Sequence, residues 1–491
     1  MTVDSTAITQ MREDNLVADH QAATAAHNQR VAASGPLLVP TGPMINIHDR
    51  REKASTMFAI MKAATSACLL LATIAVPITS ASASDKPILD AVAANGAEQL
   101  QLLESTVNQN SGSLNVEGVR KVGEIYRREL EEMGFAVRWI DMPESMARGG
   151  HLVAERDFGE GPDLLLIGHL DTVFEPDSPF QRFERDGDKL RGPGVSDMKG
   201  GNAVVIYAVR ALLAADAIKG GKLTIFFTGD EESTGSPLAE ARKDLIAAGK
   251  AADYALNFEG GSPQWAVVGR RGFSKWKIEV TGKRAHSSGI FSDDSGAGAA
   301  FEMARILNRF YGEVRGPFGL TFNPGMVAAG SAIDPVGSAG AVTLSGKDNV
   351  IAETAMASGG LRFMNGAQLR AAKTLMLGIV EDSLPLTKAT ITFEDRYPAM
   401  ELTKANEALL DRLNAVHARL GLEPAQASPP ESRGAADISF VAPYVASMDG
   451  LGVSGTGAHT VEEDMDLGSL QQATQRTALL VADLLASDVS Q

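Results

Sequence analysis

Histidine and carboxylate side chains recur in this sequence at the ends of apolar segments and in glycine-rich turns. Five of them have the chemistry of metal ligands: His169, Asp197, Glu232, Glu259 and His459. Imidazole and carboxylate ligands suit zinc, cobalt or manganese, and the set contains no thiolate. Five ligands exceed what one tetrahedral ion that keeps a water needs, but they match two ions that share a bridging carboxylate. The sequence therefore predicts a dinuclear metal site.

His169 and Asp171 follow an apolar run at residues 163–167 that is typical of a buried strand. Open α/β sheets place their chemistry at the carboxyl ends of strands. Residues two apart in an extended segment point to the same side, so Asp171 is placed to accept a hydrogen bond from one ring nitrogen of His169 while the other faces a metal. The alternative is a strand-end histidine paired with a surface aspartate.

The adjacent carboxylates of Glu231 and Glu232 come directly after another apolar run, residues 223–227. Their mutual repulsion is tolerable when one binds a dication and the other is a general base whose proton affinity is useful. The alternative is a solvated helix start, which the nearby Ser233 and Thr234 favour.

The glycine-rich segment 192–201 contains Asp197 and precedes an apolar helical pattern. Its glycines allow a sharp turn beside a ligand. Phosphate binding is the alternative, but the segment lacks the Walker spacing and contains an aspartate.

The composition describes a soluble globular protein of two or three domains, with 491 residues, 44% apolar and 22% charged. The net charge of −16 argues against a nucleic-acid partner. Cys68 is the single cysteine, so neither disulfides nor thiolate ligands are expected.

The N-terminal region has the pattern of a secretory signal at residues 61–84. Lys62 precedes an apolar run too short to span a bilayer, and residues 81–83 supply small residues for cleavage. Residues 1–60 are interpreted as a disordered leader or an over-extended reading frame, with Met61 or Met57 as the start. Export to the periplasm is expected, and an uncleaved membrane anchor is the alternative.

The elements that position these residues alternate between strands and helices. Residues 88–134 are expected to be largely helical, with Gly134 as a C-cap. The predicted strands cover 136–140, 151–156, 164–167, 223–227 and 255–258, and a helix is predicted over 202–214. Most of the acidic candidates therefore follow a predicted strand directly. His151 and His417 have no motif around them and are interpreted as structural.

Around residue 272 the pattern changes to a compact α+β region. Strands are predicted over 273–281, 387–393 and parts of 325–328 and 349–363, and helices over 299–310 and 368–381. Long helices return at 406–420 and 467–486.

The motifs resemble those of a known family. His169-x-Asp171, Gly192-Pro193-Gly194-x-x-Asp197, Asp230-Glu231-Glu232, Phe258-Glu259 and Gly457-Ala458-His459 stand in the order of the dinuclear zinc peptidases that include glutamate carboxypeptidase, acetylornithine deacetylase and succinyl-diaminopimelate desuccinylase. The resemblance runs from about residue 90 to 485 and is greatest to the bacterial glutamate carboxypeptidase branch.

The resemblance implies roles for the matching positions. His169 and Glu259 would hold one zinc, Glu232 and His459 the other, and Asp197 would bridge the two. Asp171 would orient His169, and Glu231 would be the general base.

The resemblance also implies functional residues in the inserted region. His286 matches a histidine expected to stabilise the oxyanion in the partner subunit's site, and Asn349 and Arg396 match residues that recognise a substrate carboxylate. Arg362 and the loop 434–437 match more weakly. Two departures are an extra residue after the Glu pair and Ala352 where relatives have proline after Asn349-Val350-Ile351.

The expected architecture is an α/β zinc-peptidase-like catalytic domain, residues 85–272 and 399–491, with an inserted α+β dimerisation or lid domain at 273–398. The expected protein is a homodimer with two zinc ions per chain, or cobalt or manganese in their place.

The expected reaction is hydrolysis of an amide that releases a C-terminal amino acid, such as glutamate or an aromatic residue. The substrate would be a small peptide, an N-acyl amino acid or a folate-like conjugate. A deacylase or dipeptidase of the same architecture and a non-catalytic binding protein are the alternatives.

Overall fold

Two larger β-sheets organise the part of the chain that the structure, a computed structural model, describes: residues 84–336 and 340–487. The expected leader, the signal segment up to residue 83 and Cys68 lie outside the described residues. None of the described helices is both long and apolar enough to cross a bilayer.

The strands, in chain order, are β1 (Ala136–Ile140), β2 (His151–Asp157), β3 (Asp163–His169), β4 (Glu184–Asp186), β5 (Lys189–Arg191), β6 (Lys222–Thr228), β7 (Tyr254–Asn257), β8 (Trp265–Ala266), β9 (Gly272–Gly282), β10 (Thr321–Gly330), β11 (Ala332–Val336), β12 (Ala341–Ser345), β13 (Thr354–Phe363), β14 (Thr387–Tyr397), β15 (Gln426–Ala427), β16 (Ala446–Met448), β17 (Gly455–Thr456) and β18 (Asp464–Asp466).

The α-helices are α1 (Lys86–Ala94), α2 (Gly96–Val107), α3 (Val116–Glu132), α4 (Lys199–Ala214), α5 (Leu238–Ala241), α6 (Lys243–Ala251), α7 (Gly298–Arg309), α8 (Gly366–Glu381), α9 (Lys404–Leu420), α10 (Ile438–Val441) and α11 (Leu467–Leu485). A π-helical turn, Phe310–Val314, follows α7.

The first sheet has six strands in the order β1-β2-β6-β3-β7-β16. Four neighbouring strands, β6, β3, β7 and β16, are mutually parallel. Their apolar runs are buried because helices cover both faces. One face packs against α1–α4 and α11, and the other packs against α6 and α10. This three-layer arrangement is the predicted α/β architecture.

The second sheet is antiparallel, with the order β10-β13-β9-β14, and is built entirely between Gly272 and Tyr397. Helices α7 and α8 cover one of its faces with a separate apolar core that includes Trp276, Ile306 and Met376. The predicted strand over residues 349–363 starts later than expected, because residues 349–353 form a loop before β13. The β11–β12 hairpin was not predicted.

A small sheet, β17-β18-β5-β4, joins the C-terminal part of the chain to the glycine-rich segment 192–201. β5 leads directly into Gly192, and β17 and β18 flank the loop that carries His459. Since β18 pairs with β5 antiparallel, the two loops are brought to the same place.

Candidate metal centre

The carboxyl ends of β3, β6 and β7 meet at one edge of the six-stranded sheet. His169 is the last residue of β3 and pairs in register with Thr228, the last residue of β6. Glu231 and Glu232 follow β6, and Glu259 follows β7. Parallel strands end at the same edge, so the sheet collects these side chains as the sequence predicts.

Helix α4 approaches this edge closely because its first turn contains glycine. A Cβ at Gly201 would lie 2.0 Å from the carbonyl oxygen of Phe258, the residue before Glu259. Asn202 of the same turn donates a hydrogen bond from Nδ2 to the carbonyl oxygen of His169, at 2.6 Å. The helix start therefore packs against two strand ends that carry candidate ligands. The helix begins at Lys199, three residues earlier than predicted.

One group of candidate ligands consists of His169, Asp197 and Glu259. The Nε2 atom of His169 lies 3.2 Å from Oδ1 of Asp197 and 3.7 Å from Oε1 of Glu259. These separations suit three donors around a single small cation.

A second group consists of Asp197, Glu232 and His459. The Nε2 atom of His459 lies 3.2 Å from Oδ2 of Asp197 and 3.1 Å from Oε2 of Glu232. Asp197 therefore turns one carboxylate oxygen to each group, which is the geometry of a bridging ligand. His459 has a positive φ of 65° in its glycine-rich loop. All donors of a two-metal site are thus present, and their chemistry fits divalent cations of the zinc, cobalt and manganese kind.

The ionisable groups of the centre have shifted pKa values that indicate a need for nearby positive charge. Burial and the nearby carboxylate of Asp197 raise the pKa of Glu259 well above its usual range. Hydrogen bonds with Asp197 and Glu232 raise the pKa of His459 to about 11. Protons on these groups supply the charge that cations would otherwise bring, so metal binding here must release protons.

Glu231 lies beside both groups, in a cavity of about 200 Å³ lined also by Asp197, Glu232, Glu259 and His459. Burial and the neighbouring Glu259 raise the pKa of Glu231 well above its usual range. Bound cations would lower this pKa again, and a carboxylate works best as a general base when its pKa lies near the working pH.

Asp171 holds the loop that carries the two glutamates. Its carboxylate accepts hydrogen bonds from the backbone N–H groups of Glu231 (3.0 Å) and Glu232 (3.1 Å) and from the hydroxyl of Ser113 (2.6 Å). The Nδ1 atom of His169 lies 3.0 Å from the backbone carbonyl oxygen of Asp171 and 3.5 Å from its carboxylate. The His169 ring therefore faces both the main chain and the carboxylate of Asp171, and the same carboxylate positions the glutamate pair.

Glu463 is a buried residue that the sequence reasoning missed. Its carboxylate accepts hydrogen bonds from the backbone N–H groups of Gly194, Ser196 and Asp197, at 2.9–3.0 Å, and from the Ser196 hydroxyl. It thereby fixes the loop that presents the bridging carboxylate. The acidic run 462–464, close to His459, was the only signal in the sequence.

A buried ion cluster supports the same edge of the sheet. Arg242 contacts Asp230 at 2.5 Å and Asp437 at 2.8 Å, and Thr228 donates a hydrogen bond to Asp437. Asp230 precedes the glutamate pair, and Asp437 ends the loop 434–437. The weakly matched loop thus lies next to the centre.

The residues predicted in the inserted region occupy different places. His286 and Asn349 are exposed neighbours, since the backbone N–H of Ser287 donates to the Asn349 carbonyl at 3.0 Å. Arg362 stacks on Phe273, 4.3 Å from the ring centre. Within the described chain none of these three contacts the metal ligands. Arg396 lies nearer, because Nη2 donates to the carbonyl oxygen of Thr234 at 3.4 Å while Nη1 pairs with Glu394.

The sequence model of "Peptidase family M20/M25/M40" matches residues 165–483, which is more than half of the chain and includes all five candidate ligands. The chain belongs to this family. This membership confirms the resemblance drawn from the motifs, and it identifies the protein as a hydrolytic enzyme of the metallopeptidase class.

Comparison with individual proteins agrees with the M20/M25/M40 assignment. Carboxypeptidase G2 of Pseudomonas sp. (strain RS-16) is 27% identical over 401 residues, which cover 78% of this chain and 89% of that protein. Succinyl-diaminopimelate desuccinylase of Gluconacetobacter diazotrophicus is 32% identical over 167 residues, which cover 32% of this chain and 43% of that protein.

A solved structure shares the fold. The dinuclear metal binding peptidase YXEP of the M20 family from Bacillus subtilis superimposes with a TM-score of 0.56 at 17% identity, covering 80% of this chain and 99% of that chain. The predicted fold class is thus confirmed for this M20/M25/M40 peptidase.

Proposed function

We propose that this peptidase uses two zinc ions to hydrolyse the amide bond beside a free carboxylate, and so releases a C-terminal amino acid from a small peptide or N-acyl amino acid. The observation that carries the proposal is the pair of ligand groups sharing Asp197, with Glu231 beside both. Similarity to carboxypeptidase G2 over most of the chain supports a carboxypeptidase. The released residue is either glutamate or an aromatic amino acid.

In the proposed mechanism, His169, Glu259 and Asp197 would hold one ion, and Asp197, Glu232 and His459 would hold the other. When bound, two such ions would supply positive charge that polarises a carbonyl group and makes a water molecule more acidic. Glu231 accepts a proton from that water as its oxygen bonds to the carbonyl carbon, and then delivers the proton to the amide nitrogen as the carbon–nitrogen bond breaks. Asp171 keeps Glu231 in place through the main chain.

A second copy of the chain completes the proposed site. His286 and Asn349 lie together on the surface of the proposed dimerisation domain, residues 273–398, whose sheet has β10 as an edge strand. We assign His286 to the partner's site, where it would stabilise the oxyanion.

Mixing two inactive variants tests this arrangement. In a heterodimer of His286→Ala and Glu231→Gln chains, one site has both residues intact only if His286 acts in the partner's site. After subunit exchange, activity should return to about a quarter of the wild-type level. Activity that stays at the level of the separate variants, or a solution mass of one chain, would contradict the assignment.

The reaction itself is tested with N-acyl amino acids and short peptides, each paired with its C-terminal amide, and the zinc-loaded enzyme. Preference for the free acids is expected. Equal turnover of acids and amides would reject carboxylate recognition and favour the deacylase alternative, which the similarity to a desuccinylase supports. A purified chain without bound metal or turnover would favour a binding protein.

We also propose export to the periplasm after cleavage near residue 84, because residues 61–84 have the composition of a secretory signal. N-terminal sequencing of the mature protein from a periplasmic extract tests this. A mature chain that still begins at residue 1, 57 or 61 would contradict it.

A further inference from the structure

Two loops meet beside the metal centre. The loop 258–262 follows β7 and carries Glu259, and the loop 449–453 follows β16. The backbone N–H of Gly452 donates to the carbonyl oxygen of Glu259 at 3.1 Å. A Cβ at Gly452 would lie 2.3 Å from the carbonyl oxygen of Phe258, so only a glycine allows the two main chains to approach this closely. The position of Glu259 therefore depends on the loop 449–453.

Arg476, on helix α11, joins these two loops. Its Nη1 atom donates to the carbonyl oxygen of Ser262 at 3.3 Å, and its Nη2 atom donates to that of Leu451 at 3.4 Å. The residue is only 2% exposed. Because both acceptors belong to the main chain, one guanidinium group fixes the loop that carries Glu259 against the other loop.

The charge of Arg476 has no acidic partner. The side chain forms no ion pair with any described carboxylate, and its Nε atom has no hydrogen-bond partner among the described residues. Burial lowers the pKa of Arg476 to about 10, so the group remains charged at neutral pH. A buried cation without a counter-ion destabilises a fold relative to an apolar side chain of similar size. Packing alone would favour methionine at this position, which points to a role for the two hydrogen bonds.

Two ligands of the other group are held by different contacts. His459 lies between β17 and β18, and β18 pairs with β5. The carboxylate of Asp171 accepts a hydrogen bond from the backbone N–H of Glu232. Neither contact involves the loop 258–262, so a displacement of this loop would move Glu259 and leave His459 and Glu232 in place.

We propose that Arg476 is a positioning residue for Glu259, and that it sets the affinity of the ion held by His169, Asp197 and Glu259 without contacting that ion. The proposal rests on the two-ion centre proposed above. Removing the guanidinium frees the end of the loop 258–262 and weakens one ligand of this group. The group of Asp197, Glu232 and His459 keeps its affinity.

The test measures zinc affinity in two backgrounds that each keep one complete ligand group. His459→Ala keeps the group that includes Glu259, and His169→Ala keeps the other. Arg476→Met should lower zinc affinity about 10- to 100-fold in the His459→Ala background, as for other partners of metal ligands, and by less than about threefold in the His169→Ala background. Competition with a chromogenic chelator on the full-length protein gives both affinities.

A second variant and a control separate this role from a general loss of structure. Arg476→Lys keeps the charge but presents a single ammonium group, so its loss in the His459→Ala background should be smaller. The control is Arg419→Met, because Arg419 pairs with Asp483 of the same helix at 2.8 Å. It should change zinc affinity in neither background.

Each outcome decides the proposal. Equal losses in the two backgrounds would overturn it, as would unchanged affinity in both. If Arg476→Met does not fold, the same comparison between backgrounds is made with Arg476→Lys and decides by the same criterion. If neither His459→Ala nor His169→Ala binds zinc before Arg476 is changed, the assignment of two separate ligand groups fails, and the role of Arg476 fails with it.

Discussion

The hydroxyl of Tyr397 donates a hydrogen bond to the backbone carbonyl oxygen of Glu231, at 2.9 Å. Tyr397 is the last residue of β14, and so it links the inserted sheet to the loop that carries the proposed base. Thr234 of the same loop lies 2.9 Å from the Tyr397 hydroxyl, and the tyrosine ring packs on Phe440, with ring centres 4.9 Å apart. The position of Glu231 is therefore set from two sides, by Asp171 and by Tyr397.

Replacing Tyr397 with phenylalanine removes this hydrogen bond and keeps the ring contact. Loss of about 1 kcal/mol of positioning energy should lower kcat by roughly fivefold, with bound metal unchanged. Steady-state kinetics and metal analysis check the outcome. Tyr444→Phe is the matched control, because Tyr444 is exposed and its ring contacts the ammonium group of Lys250. Equal effects of the two changes would contradict a specific role for Tyr397.

Glu463→Gln should weaken metal binding without removing a ligand. The glutamine amide would place N–H donors against the N–H groups of residues 194–197 and so disturb Asp197. A loss of about 10- to 100-fold in metal affinity is expected, as for other partners of metal ligands. Competition with a chromogenic chelator measures it. The exposed neighbour provides the control, since Glu462→Gln loses only a surface ion pair with Arg191. Unchanged affinity in Glu463→Gln would count against this account.

The two ligand groups predict distinct metal contents for single substitutions. His459→Ala should leave one metal per chain, because the other group keeps all its donors. Asp197→Ala should leave close to none, because both groups lose their shared carboxylate. Elemental analysis after dialysis distinguishes the cases. One retained metal in Asp197→Ala would mean that this residue does not bridge.

His151 should contribute to acid sensitivity. Burial lowers its pKa below the ordinary 6.5. Below about pH 6.5 the unfolded chain binds a proton that the folded chain does not, so the free energy of unfolding falls as the pH drops through this window, by up to about 1.4 kcal/mol per pH unit.

Glutamine at position 151 is able to accept from Gly229 and donate to Ala241 as the imidazole does, but it does not titrate. Above pH 7 the free energy of unfolding of His151→Gln should therefore vary with pH as it does in the wild type. Below pH 6.5 the variant should lose less stability than the wild type. Denaturant unfolding between pH 5 and 8 measures both curves. Parallel curves would contradict the prediction.

The clustering of the candidate ligands was predictable in part because it depends on local signals. Each strand that ends at the centre is a short apolar run followed within two residues by an acid, and parallel strands bring their ends together without further information. Gly134 illustrates the same point, since its positive φ of 78° after α3 follows from the local helix pattern.

The supporting contacts were not predictable because they join residues far apart in the sequence. Glu463 binds a loop more than 260 residues earlier, and Arg433 reaches Gly260 across 173 residues. Neither follows an apolar run, so neither resembles a strand-end ligand. The hydrogen bonds of Asp171 to residues 231 and 232 likewise depend on strand order, which short-range periodicity does not determine.

The most direct test of the account measures Glu231→Gln for metal content and turnover in the same preparation. Glutamine keeps the size and the backbone hydrogen bond of Glu231 but accepts no proton. The variant should bind two metals per chain, as expected for the wild type, with kcat lower by about 10³-fold or more. Turnover near the wild-type rate with both metals bound would contradict the assignment of Glu231 as the base.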